Sequence, residues 1–129
     1  FVETSDGKYQ INLEGINRFK VKKILDKKYK FIMIDGEGGL AEKNAKKRLV
    51  NIENHYKWVE AAQVLGCHSI RVNLSGGEDR LDAQKAGIDS LNRLAEFAKS
   101  YEVSILVENH GGFSSDGNWL SNVMQNVLE

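Results

Sequence analysis

Three times along this chain of 129 residues a short apolar run breaks off into polar residues and then glycine. Tyr29–Asp35 (YKFIMID) leads into Gly36-Glu37-Gly38-Gly39, and His68–Leu74 (HSIRVNL) into Ser75-Gly76-Gly77. Val103–Val107 (VSILV) leads into Glu108-Asn109-His110-Gly111-Gly112. Each run is too short for a helix and is bounded by charge or turn formers, which marks a buried strand. Helical stretches lie between them. From about Glu42 to Leu65, Ala45, Leu49, Ile52, Tyr56, Val59 and Ala62 recur every three or four residues until Gly66 stops them. From about Leu81 to Ser100, Ile88, Leu91, Leu94, Ala95 and Ala98 do the same. A last helix over Asn118–Leu128, capped from Ser114-Ser115-Asp116, is expected to bury Leu120, Val123, Met124 and Val127. Strand starts fall about 35–40 residues apart, the spacing of right-handed βαβ crossovers in a parallel sheet.

Ahead of these units, residues 1–12 carry turn formers and little pattern and read as a lead-in. Leu13–Lys28 reads as a lysine-rich helix with a thin apolar stripe, its lysines solvated. The whole is one domain over 1–129, with 1–28 as lead-in and helix and 29–129 as three βα units. Lys+Arg and Asp+Glu are 18 each, so no basic excess points to nucleic acid. No apolar run suits a membrane span, and no signal peptide is visible. A cytoplasmic location is expected, although the chain opens without Met and its natural start reads as missing. The single Cys67, next to Val64 and Leu65, reads as a packed, reduced thiol.

Two architectures use the repeated unit: an open, flavodoxin-like sheet with helices on both faces, and a closed barrel with helices outside only. A strand's period of two decides between them. Ile70, Val72 and Leu74 share an apolar face, whereas Ser69, Arg71 and Asn73 share the other. Likewise Ser104, Leu106, Glu108 and His110 oppose Val103, Ile105 and Val107, and Phe31, Met33, Asp35 and Glu37 oppose Ile32 and Ile34. A sheet covered on both faces wants both apolar, and a buried Arg there needs a partner. A barrel accepts such a face because its C-terminal mouth is wet and functional. The expectation is therefore α/β, with parallel βα repeats forming part of a TIM (β/α)8 barrel. Three strands cannot close one, so edges stand open.

DGEGGL (Asp35–Leu40), NHYKWVEAAQVLGCHSIRVN (Asn54–Asn73) and ILVENHGGFSSDGNWLSNVM (Ile105–Met124) resemble the sugar phosphate isomerase/epimerase family. These are xylose-isomerase-like TIM barrels, in the superfamily that also holds endonucleases acting on abasic DNA. The likeness runs over about Phe31–Val127 and implies that the strands are the third to fifth of the barrel. It implies that Glu108, ending the fifth strand, is both a divalent-metal ligand and a catalytic proton-transfer group. It places the remaining ligands on the sixth to eighth strands, so the chain reads as a central fragment with an incomplete metal site, inactive alone.

The chemistry fits these residue types. Isomerising or epimerising a ketose removes a proton next to a carbonyl, through an enediolate. The step needs a carboxylate base and an electrophile, such as a Mn²⁺- or Mg²⁺-type ion, with Zn²⁺ as an alternative. Asn109, His110, Arg71 and Asn73 are then candidates to bind sugar hydroxyls, with Asp35 and Glu37 at a neighbouring strand end. Arg71 has a second reading, as an internal bridge to Glu108 or Asp35. Trp58 and Trp119 read as helix packing, and His55 and His68 as structural. The expected partner is a small sugar or sugar phosphate, with neither nucleic acid nor membrane, and self-association through the open edges. Two other functions compete: a flavodoxin-like binding or signalling module, which helices on one face only would remove, and an abasic-site endonuclease, which the zero net charge and three histidines disfavour.

Overall fold

A computed structural model of the chain describes residues 2–3, 9–10, 31–34 and 36–128. The expected lysine-rich helix over 13–28, the start of the first long strand and Asp35 lie outside the described residues. Near the N-terminus, β1 (Val2–Glu3) and β2 (Tyr9–Gln10) pair antiparallel. This pairing differs from the expected lead-in with little pattern.

The main sheet is parallel and in sequence order: β3 (Phe31–Met33), β4 (Ser69–Asn73) and β5 (Ser104–Glu108). Its register aligns Phe31 with Ser69 and Ser104, Met33 with Arg71 and Leu106, and Asn73 with Glu108. The helices α1 (Ala45–Leu65) and α2 (Arg80–Lys99) make the crossovers, and α3 (Gly117–Gln125) follows a 3-10 turn at Gly112–Ser115. Each helix starts where a side chain takes up its free N–H groups: Asn44 for α1, Asp79 for α2 and Asp116 for α3. Gly66 ends α1 in the left-handed conformation, at φ 74°.

The helices pack on the face made by Ile34, Ile70, Val72 and Leu74, which are at most 4% exposed. Ile52, Val59, Leu91, Leu94, Trp119 and Val123 complete that core. On the other face, Phe31, Met33 and Leu106 are 44%, 49% and 40% exposed, so no helix among the described residues covers it. Among the described residues the helices lie on one side only, as a barrel wall requires and an open, flavodoxin-like sheet does not. Two packing expectations need correction. Leu49 and Met124 are exposed, because helical periodicity says which side of a helix turns inward but not how far along it the core extends. Trp119 is instead the largest side chain fully buried, and its Nε1 donates to the Arg80 carbonyl at 3.0 Å.

The two glycine loops at the C-terminal end of β3 and β4 pack directly on each other. Ala41 N donates to Ser75 O at 2.8 Å, and a Cβ at Gly39 would stand 2.4 Å from that same oxygen. At Gly77 a Cβ would stand 2.4 Å from the Ala83 Cβ. The Ser90 hydroxyl, fully buried, donates to Leu40 O and ties this rim to α2. No described helix is long and apolar enough to cross a membrane.

Candidate functional site

The register decides which polar groups meet. Arg71 and Asn73 lie on the open face of β4 because Ile70, Val72 and Leu74 take the covered one. Asn73 stands directly beside Glu108, the last residue of β5. Arg71 pairs with Leu106, one step lower, and reaches up the face so that its Nη2 lies 2.7 Å from Glu108 Oε2. The two side chains are 23% and 28% exposed, within reach of water but largely enclosed.

Among the described residues this contact is ionic rather than a directed hydrogen bond, since Oε2 has no aligned donor there despite its closeness to Nη2. Arg71 Nε and Asn73 Oδ1 are also buried without a hydrogen-bond partner among the described residues. Buried polar atoms are rarely left so. Here one donor and two acceptors collect on one patch at the C-terminal end of the strands, where parallel α/β barrels place their chemistry.

The other expected site residues are distributed differently. Asn109 and His110 are exposed beyond the end of β5. The Ser114 hydroxyl accepts from His110 N at 3.0 Å and donates to Gly111 O at 2.8 Å, curling the chain. The shared face read for Glu108 and His110 thus loses its basis, because no ladder extends the period of two past Glu108. Glu37, expected at the mouth, stands in the loop after β3. Its carboxylate is committed to α1, accepting from Trp58 Nε1 at 2.9 Å and pairing with Lys57 Nζ at 3.1 Å. Burial pushes its pKa up, but the Trp58 hydrogen bond and the Lys57 ammonium outweigh this and hold it below the usual value. Asp35 lies outside the described residues.

His55 and Cys67 are packed, as expected, whereas His68 is exposed. His55 is 3% exposed with Nδ1 donating to Asn51 O at 2.6 Å, and desolvation lowers its pKa. Cys67 is buried, and burial raises its thiol pKa. Ser114, expected only in the cap of the last helix, instead holds the loop after β5. The only signal was a hydroxyl four residues after His110, within reach of a tightly turned loop.

Two grooves open elsewhere. One of about 440 Å³ runs along the free edge of β5, lined by Leu91, Val103, Ile105, Val107, Met124 and Val127 among others. The other, of about 620 Å³, lies between the starts of α1 and α2. Neither touches Arg71, Asn73 or Glu108.

As to a cation, Asn73 Oδ1 and Glu108 Oε2 are oxygen donors of the kind hard divalent ions take, neighbouring and without hydrogen bonds among the described residues. No group of three or more His, Cys, Asp or Glu able to hold a metal occurs among the described residues. The donor types fit, and the described residues offer two of them.

The family model for the xylose isomerase-like TIM barrel matches residues 2–127. The chain belongs to this family. No curated protein matches it. In a xylose isomerase-like barrel the three parallel strands are adjacent staves of the wall, α1 and α2 lie outside, and the open face is the barrel's interior. Membership supports sugar isomerase or epimerase activity or a related activity of the superfamily, which also includes endonucleases.

Proposed function

We propose that the protein isomerises or epimerises a sugar or sugar phosphate by proton transfer next to a carbonyl, with Glu108 as the base and a divalent cation as a further participant. The observation that carries this reading is the cluster of unsatisfied buried atoms on the interior face: Glu108 Oε2, Asn73 Oδ1 and Arg71 Nε. A hydroxylated ligand both donates and accepts, so it suits one free donor beside two free acceptors.

Glu108 takes the proton from the carbon next to the carbonyl. The C–H electron pair becomes the C=C bond of the enediolate, and the carbonyl oxygen gains negative charge. Return of the proton to the former carbonyl carbon, with the proton of the adjacent hydroxyl passing to the former carbonyl oxygen, gives the isomer; protonation of the original carbon on its opposite face, by a second acid, gives the epimer. Arg71 Nε–H is a fixed donor for a substrate oxygen, and its positive charge favours the enediolate over the neutral ketose. Asn73 Oδ1 accepts from a substrate hydroxyl and so orients the sugar. Glu108 and Asn73 would hold a cation, which supplies electrophilic stabilisation of the developing oxyanion when bound.

The test is solvent-deuterium incorporation into a panel of ketoses and their phosphates, followed by mass spectrometry, with the protein as its native gene encodes it. Exchange at the carbon next to the carbonyl is expected, reduced about 10²- to 10⁴-fold by Glu108→Gln. Absence of exchange across the panel would overturn the reading.

A further inference from the structure

We infer that Ser114 is a positioning residue for Glu108: its buried hydroxyl fixes the chain leaving β5 and so holds the carboxylate in place beside Arg71 and Asn73. The inference rests on the proposed function only in taking Glu108 as the reacting group.

Glu108 stands at the last rung of the sheet, paired with Asn73, and no ladder holds the chain beyond it among the described residues. A strand end frays unless something ties it down. The carboxylate oxygen Oε2 is a weak anchor. Among the described residues it meets Arg71 Nη2 as charge against charge, without a directed hydrogen bond. The place of the side chain therefore depends on how firmly its backbone is held.

Ser114 supplies the tie. Its Oγ accepts from His110 N at 3.0 Å, two residues past Glu108, and donates to Gly111 O at 2.8 Å. Gly111 and Gly112, at φ 67° and 54°, let the chain curl round the hydroxyl in a conformation that side chains disfavour. Closing both bonds from one atom takes a group that donates and accepts, as a hydroxyl does. Ser114 is 1% exposed, so the tie is shielded from competing water. The far side of the loop is anchored as well. Phe113 stacks on Trp119 with ring centroids 5.9 Å apart, and Trp119 is fully buried. The hydroxyl thus links a fixed part of the core to the strand end that carries Glu108. A base displaced by about 1 Å can lose about 10²-fold in rate, so this tie acts on the reaction without touching substrate.

The Arg71 Nε–H NMR resonance reports where the Glu108 carboxylate lies, with no substrate needed. Ser114→Ala should move it toward its position in Glu108→Gln. Val59→Ala, which truncates a fully buried side chain on α1, should lower Tm and leave the resonance in place. In the wild type, the His110 amide should be protected from hydrogen exchange. With the protein as its native gene encodes it, Ser114→Ala should lower kcat for solvent-deuterium incorporation about 10- to 10²-fold, with KM near the wild-type value. An unprotected His110 amide would overturn the inference, as would an Arg71 signal that Ser114→Ala leaves unmoved or that Val59→Ala moves as far. The two readings separate. Deuterium incorporation that Ser114→Ala leaves intact removes only the positioning role; a moved Arg71 signal with no incorporation by the wild type removes only the reaction.

Discussion

The two faces of the main sheet come from alternate residues of the same strands, yet they are different materials. On the helix side Ile70 and Val72 are fully buried and Leu74 is 4% exposed. One residue away, on the interior side, Met33 is 49% and Leu106 40% exposed around the Arg71–Glu108 pair. Ser69 is the exception on that side, buried at the lower end with its hydroxyl against His68. The contrast teaches that stability and chemistry are assigned to opposite sides of one backbone. The covered face can be tuned by volume, the open one by charge. The covered face also weakens toward β5, where Ile105 and Val107 are only half-buried beside the edge groove.

The largest effect should come from the covered face. Ile70→Ala should cost about 2–5 kcal/mol in urea unfolding, because a fully buried side chain leaves a cavity. Leu106→Ala, on the open face, should cost less than about 1.5 kcal/mol, and equal losses would erase the distinction. Next comes the rim joining the faces. Gly77→Ala should cost about 1–3 kcal/mol by the same measurement, since its new methyl meets the Ala83 Cβ and neither can rotate away. A neutral result would show that the rim is looser than its contacts imply.

Smaller again is the interior ion pair. Arg71→Met should change the unfolding free energy by about 1 kcal/mol, because water reaches both partners and screens them. A loss as large as that of Ile70→Ala would make the pair a structural bridge instead. The smallest effect is a pH slope on the covered side. His55 has its pKa lowered by desolvation from an ordinary 6.5, so the unfolded chain takes up the proton first. Its contribution to stability is full above pH 6.5 and is lost as the pH falls from there through the folded value. Thermal melts of His55→Gln between pH 7 and 5 should show a flatter decline than the wild type.

Much of the fold was legible because a period of two is written directly into β4: Ser-Ile-Arg-Val-Asn alternates polar and apolar. The left-handed Gly66 and the capping Asp116 were equally local signals. What eluded the sequence depends on registers and distances between elements. The reach of Arg71 to Glu108 needs the pairing of Arg71 with Leu106, which no single strand contains. The capture of Glu37 by Trp58 joins residues 21 apart through the packing of a loop on α1. Strand alternation placed His110 beside Glu108, but alternation has force only while a ladder holds the chain extended. Self-association remains an expectation of the exposed Phe31, Met33 and Leu106. Sedimentation at several concentrations should show mass rising with concentration.

The division between a structural and a chemical face is tested most directly by one rate. Solvent-deuterium incorporation next to the substrate carbonyl should be compared between Glu108→Gln and Ile70→Val, at matched folded fraction. Glu108→Gln is expected to lose about 10²-fold or more while Ile70→Val stays near the wild-type rate. A Glu108→Gln protein that exchanges as fast as Ile70→Val would contradict it.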